Sequence, residues 1–375
     1  MIGAGPKGQP LARAKLSLAD GSTEVGPENG HDAAPRFAAR WSPTALLRQR
    51  ESGILLALIA LCALISGITP KFLSSYNLAI VVRQVSFIGI VAAGQTLVLL
   101  LGGIDLSVGA VAGLTAILGA MMMTTLGINP FATMLLAMLL GFAFGLVNGF
   151  MIAWLKLNAF IVTLATGEVF AGTILVLTRG YSITGIPSSF AVLGQGMVGP
   201  VPVPVVFMLA VYAILAFICS STPFGRSLFA IGGNREAARF AGLRVERVEM
   251  LVYAIAGMLA ALAGMLFVSR VNAGQPTTGA SWLMPSITAA IIGGTSLTGG
   301  VGTVWGTLLG AVFMGVLANG IVLMNVSSYW ERVIIGIFVI VAVLVDLVRR
   351  RGEVRARLPI WLRGKDRQRR GAESG

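Results

Sequence analysis

Charge is scarce in this sequence. Only 11% of its 375 residues are Asp, Glu, Lys or Arg, against about 25% in soluble globular proteins. Hydrophobic residues make up 56%, and the mean hydropathy is +0.85. Histidine is almost absent: His31 is the single one and lies in a polar stretch, so histidine-based catalysis or metal binding has nothing to build on. Cys62 and Cys219 are the two cysteines; both fall within apolar runs, with neither a disulfide framework nor a metal-ligand spacing. No GxxxxGK[ST] phosphate loop, G-x-S-x-G elbow or H-E-x-x-H zinc site occurs. An enzyme is therefore not expected, no cofactor site is expected, and any ATP hydrolysis has to belong to another polypeptide. The formal net charge of +13 comes without zinc-finger spacing or an RNA-binding aromatic motif, which argues against a nucleic-acid reader.

What the chain has in quantity is long apolar runs. A helix crossing about 30 Å of hydrocarbon needs roughly 20 mostly apolar residues, and stretches of that order recur from Gly53 to Val348. Repeated spans of this length mean helices, which satisfy their own backbone hydrogen bonds; barrel strands would be shorter and alternate with polar residues. The expected fold class is an all-α polytopic membrane protein of about ten transmembrane helices, at 53–70, 79–101, 107–126, 131–153, 159–178, 203–221, 250–269, 284–298, 304–324 and 331–348. Residues 1–50 read as a cytoplasmic, largely disordered N-terminal tail, 51–348 as the membrane domain and 349–375 as a basic cytoplasmic tail. The last of these holds ten Lys or Arg residues against three acids. Ten spans put both tails, Lys156 and the arginine-rich 222–249 connection on one side. Lys and Arg gather on the cytoplasmic side of membranes, so both termini are expected there, and the 179–202 connection outside. The first apolar run lacks a small-x-small cleavage signal, so it is expected to stay as an anchor.

Polar groups inside the apolar region are few. Asp105 lies between the second and third spans, with Ser107 beside it. It either accepts hydrogen bonds from the start of the following helix or takes a direct part in passage. Glu168 stands midway through the fifth span; it either pairs with a buried polar group or lines a pathway, and is compatible with proton coupling in a secondary transporter. Uncharged polar residues such as Gln95, Asn148, Asn272 and Asn319 suit either interhelical hydrogen bonding or a polyhydroxylated solute. Gly141, Gly145 and Gly149 recur every four residues on one helix face, the spacing of close helix packing. The stretches GGIDLSVG and GGTSLTGG echo one another weakly.

The 222–249 connection is the sharpest local signal. Arg235–Ala241 is a run of helix formers, with Asn234 placed to cap its first turn, Glu236 at its positive end and Gly242 to stop it. A short cytoplasmic helix rimmed with arginine suits docking on a soluble partner; a merely solvated connector is the other reading.

Four segments carry a family resemblance. GQTLVLLLGGIDLSVGAVAG (Gly94–Gly113), FGRSLFAIGGNREAARFAGLRV (Phe224–Val245), IIGGTSLTGGVGTVWGTLLGA (Ile291–Ala311) and NVSSYWERVIIGIFVIVAVLVD (Asn325–Asp346) closely resemble the ribose/xylose-type permeases of bacterial ABC sugar importers. The resemblance covers most of 50–348 and implies a type II ABC importer-like permease in the cytoplasmic (inner) membrane. It also implies a permease homodimer, a separate ABC ATPase inside, and a periplasmic or lipoprotein sugar-binding protein that delivers a monosaccharide or polyol. Glu236, Ala237, Ala238 and Gly242 fit the family's EAA-x-x-x-G signature, which makes Asn234–Gly242 the coupling helix that seats on the ATPase. Asp105 and Ser107 match its G-I-D-L-S element. Gly293, Gly294, Thr295, Ser296, Gly299 and Gly300 match its G-G-T-S-L-x-G-G element. The stretch Trp282–Thr288 departs from the family's E-L-D-A-I-A pattern and lacks both acids, which leaves the sugar open. A secondary transporter or facilitator for a small polar solute is the competing class, and it has no use for the EAA-type connection.

Overall fold

Among the described residues, apolar helices follow one another along the chain. The computed structural model describes residues 52–344 apart from 328, 331 and 342; the expected tails at 1–50 and 349–375 lie outside them. Helix α1 is Ser52–Ile68, α2 Ser75–Leu100, α3 Val108–Thr124, α4 Pro130–Ala153 and α5 Ala159–Thr178. After a 3-10 turn at Ser188–Phe190 come the short α6, Ala191–Gln195, and a two-residue hairpin, β1 Met197–Val198 paired antiparallel with β2 Val201–Pro202. Then follow α7 Val203–Ser221, α8 Pro223–Gly233, α9 Arg235–Phe240, α10 Val245–Val271, α11 Leu283–Ile292, α12 Val304–Leu323 and α13 Arg332–Val341.

The span count differs from the expected ten. Among the described residues six helices are long and apolar enough to cross a membrane: α2, α4, α5, α7, α10 and α12. The other four apolar helices, α1, α3, α11 and α13, have 10–17 residues. Length is the reason. At 1.5 Å per residue, a 10-residue helix such as α11 covers only about 15 Å. It ends at Ile292, not at 298 as expected, because the GGTSLTGG stretch is not helix. Gly294 takes the left-handed conformation there (φ +94°), and the chain turns back toward the end of α2.

Helix α10 is the centre of the packing, touching α4, α2, α3 and α6, while α2 touches α7, α11 and α12 as well. Glycine allows the closest of these approaches. A Cβ at Gly141, Gly145 or Gly149 of α4 would strike the backbone of α10 at Gly257, Tyr253 or Met250, so the four-residue glycine spacing is a packing face. At the end of the bundle where α10 finishes, Phe87, Phe267 and Trp282 form a mutual aromatic cluster with ring centroids 5.5–6.2 Å apart. The 179–202 connection is tied down at the same end: Gly194 N–H donates to Ser269 Oγ at 2.7 Å, and Gln195 Nε2 donates to the Arg270 carbonyl at 3.1 Å. Burial is uneven across the six long helices. In α10 78% of the apolar window is inside, in α5 only 22%, so α5 presents most of its surface outward.

Candidate functional site

The 222–249 connection folds as two helices joined at Asn234. Thr222 caps α8, accepting from Gly225 N–H at 3.2 Å, with Pro223 in its first turn. Asn234 caps α9, its Oδ1 accepting from Ala237 N–H at 2.9 Å. The far end closes as a Schellman turn: Leu243 N–H reaches the Ala238 carbonyl at 3.1 Å and Gly242 N–H the Arg239 carbonyl at 3.0 Å. Gly242 sits at φ +82°, a conformation costing an L side chain about 1–2 kcal/mol.

Capping fixes which face of α9 points where. Ala238 is buried against Ile231 and Val245. Glu236, Ala237 and Phe240 are exposed, and Phe240 is 91% open to solvent. Ion pairs hold the helix from the sides. Both guanidinium nitrogens of Arg235 meet the Glu249 carboxylate of α10. Arg239 reaches Glu246 Oε1 at 2.6 Å, and Lys156 from the α4–α5 connection reaches the same oxygen at 2.9 Å. A cavity of about 310 Å³ lies behind this network, lined in part by Lys156, Arg235, Arg239, Glu249, Tyr253 and Gly103.

The two echoing glycine stretches meet at the base of α8. Gly300 N–H donates to the Leu100 carbonyl at 2.9 Å, and a Cβ on Gly102 would lie 3.0 Å from the Thr298 carbonyl oxygen. Gly232 completes the junction: a Cβ there would run into the Leu100 carbonyl and the Gly300 amide. Three backbones from sequence positions near 100, 232 and 300 therefore pack with no side chain between them.

Beside this junction, in the 101–107 connection, lies a buried polar cluster. Asp105 Oδ1 accepts from both Ser107 N–H (2.8 Å) and Ser107 Oγ–H (2.6 Å). Gln95 Nε2 donates to the Asp105 carbonyl at 2.5 Å, and Asn148 Nδ2 donates to Ser107 Oγ at 2.9 Å. Burial pushes the Asp105 carboxyl up from its ordinary value, and the two hydrogen bonds from Ser107 pull it back. Gln95, Asp105, Ser107 and Asn148 are each at most 1% exposed, so this set lies inside the bundle.

The structure thus joins Gly102, Gly299 and Gly300 to Gly232 and Gly233 at the end of α8, directly before Asn234–Gly242, and places Asp105 and Ser107 in the adjoining connection. Gly293 packs on Gly306 at the start of α12, Thr295 is buried beside Gly302, and Ser296 N–H reaches the Val301 carbonyl at 2.8 Å. Glu168 stands apart, exposed on α5. Sequence reasoning overlooked Lys156, Glu246, Glu249 and Tyr253; the signal was the pair of acids at 246 and 249, on the turn of α10 that follows the arginines.

These features define a polytopic, helical membrane protein with an exposed helical connection between two of its long helices. A family model described as "Branched-chain amino acid transport system / permease component" matches residues 77–343. The ribose import permease protein RbsC of Bacillus subtilis is 42% identical over 299 residues, 79% of this chain and 92% of that protein. An autoinducer 2 import system permease protein, LsrC of Photorhabdus laumondii, is 36% identical over 79% of this chain and 88% of its own length. The D-allose transport system permease protein AlsC of Escherichia coli is 34% identical over 87% and 98%. No solved structure matches this chain. The chain belongs to this family of multi-pass inner-membrane transport permeases. It is a non-catalytic component, and ATP hydrolysis belongs to a separate subunit.

Proposed function

We propose that the protein is the membrane permease of an ATP-driven importer for a monosaccharide or related polyol. The observation that carries this is the capped α9, with Glu236, Ala237 and Phe240 exposed on one face, in a chain similar to ribose and allose permeases over nearly their whole length. In this reading α9 is the coupling helix of a type II importer. An ABC ATPase grips Glu236, Ala237 and Phe240, and nucleotide-driven closure of that partner moves α9. The free energy enters through contacts that differ between inward- and outward-facing states. The Arg235–Glu249 and Arg239–Glu246 pairs carry the displacement into α10, and the glycine junction carries it into α2 and the 293–303 connection. Asp105 and Ser107 keep the 101–107 connection stiff enough to follow.

The bias of Lys and Arg toward Lys156, the 222–249 connection and 349–375 supports cytoplasmic termini and a cytoplasmic α9. The 179–202 connection then faces a periplasmic or lipoprotein binding protein that delivers solute, and two permease copies form the pathway. Ribose, allose and autoinducer 2 are the solutes named for three relatives of comparable similarity, so the class is a small polyhydroxylated molecule.

Purification of the tagged chain from its native host in gentle detergent tests this. A stoichiometric ATP-binding protein, and a soluble protein that binds D-ribose or D-allose encoded beside it, are the expected result. Repeated recovery of a homo-oligomer alone, under conditions that preserve a known ABC complex, would overturn the ATP-driven reading in favour of a facilitator or secondary transporter.

A further inference from the structure

Glu168 is the tenth residue of the 20-residue α5, about 14 Å along a helix about 30 Å long. That depth is near the middle of a hydrocarbon core about 30 Å thick. Its side chain is exposed, and it makes no hydrogen bond or ion pair with any described residue. Among the described residues it is thus not paired with a buried polar group. The opposite side of α5 is the packed one: Thr163 and Gly167 lie against the 104–107 connection, a Cβ on Gly167 coming 3.5 Å from Ser107 Cα. Glu168 instead shares its face with Ile161, Leu164 and Gly172, and Gly172 has open space before it.

A carboxylate cannot rest stably against lipid tails at that depth, and its side chain is too short to reach the headgroups. Ionisable residues in mid-span face a bundle interior or water. We propose that Glu168 faces the water-filled solute pathway and contacts the solute in passage, with a second copy of this chain supplying the opposite wall. The proposal rests on the permease function above and adds a specificity residue to it. A carboxylate with two free oxygens accepts hydrogen bonds from neighbouring hydroxyls of a sugar or polyol, which a hydrophobic wall does not. Two such carboxylates facing one pathway also repel anions. The solute class narrows to neutral or cationic polyhydroxylated molecules, with sugar acids and sugar phosphates turned away.

Two measurements test it, both on the full chain expressed with its own transport partners. In a Cys62→Ala, Cys219→Ala background, Glu168→Cys is compared with Leu139→Cys. Leu139 is the tenth residue of α4, apolar and 63% exposed, which makes it the comparison position. A membrane-impermeant thiol reagent is expected to add its mass to the Glu168→Cys chain and not to the Leu139→Cys chain. Absence of that mass at Glu168→Cys overturns the proposal, whether a lipid-soluble reagent labels the site (lipid) or neither reagent does (a protein contact). Second, Glu168→Leu is expected to weaken uptake of D-ribose or D-allose by about tenfold in apparent affinity at unchanged membrane abundance, with Glu168→Gln intermediate. Unchanged uptake in Glu168→Leu overturns the solute contact. If the unsubstituted protein takes up neither sugar, the sugar assignment fails, while the labelling still decides where Glu168 faces.

Discussion

Single residues here act mostly through the backbone groups they satisfy. Asp105 has two donors on one oxygen, both from Ser107. Removing the acceptor leaves two buried donors unmatched, at about 1–3 kcal/mol each. Asp105→Leu should therefore lower the melting temperature in detergent markedly, whereas Asp105→Asn, which keeps an acceptor, should lie near the unsubstituted protein. Equal melting of all three would show that the buried cluster contributes nothing to stability. Gly232 is constrained differently, by the Leu100 and Gly300 backbones where its Cβ would lie. Gly232→Ala should push the 293–303 connection off the end of α2, seen as faster proteolysis there with α9 still capped. Both residues were singled out or flanked by motifs in the sequence, but the partners that constrain them were not legible. Leu100 and Gly300 are 200 residues apart.

At the scale of elements, α9 is a six-residue helix that would not hold alone, since isolated helices that short are marginal in water. Its caps and its two ion-paired arginines make it a fixed feature. Glu249 is 7% exposed and Arg235 42%, so loss of the carboxylate strands a partly desolvated guanidinium. Glu249→Ala should reduce recovery of the ATPase in detergent several-fold, with the permease itself still inserted, and Arg235→Glu with Glu249→Arg should restore part of it. Equal recovery in the single and double variants would leave the pair no role in presenting α9. The caps were readable because Asn and Gly act on neighbours a few residues away. The pairs to Glu246 and Glu249 were not, because they depend on α10 beginning at Val245, several residues earlier than hydropathy alone suggests. A helix start rich in Arg and Glu carries no apolar signal.

At the scale of the whole molecule, charge placement and span number meet. A C-terminal green-fluorescent fusion should fluoresce and a C-terminal alkaline-phosphatase fusion should stay inactive, as a cytoplasmic terminus requires; the reverse pattern would invert every side assigned to α9 and the 179–202 connection. The membrane class, the helical content and the order of the apolar helices were determined by the sequence by itself, because hydropathy over about 20 residues is a local property that the bilayer reads directly. Family membership came the same way, from motifs that survive as strings. Contacts between distant segments set the rest: α11 stops too short to cross, GGIDLSVG and GGTSLTGG join at Gly232, Asp105 is enclosed, and Glu168 has no partner among the described residues on the open side of α5. Each depends on which surface of one helix meets which surface of another. Backbone packing across hundreds of residues settles that, and no window along the chain contains it.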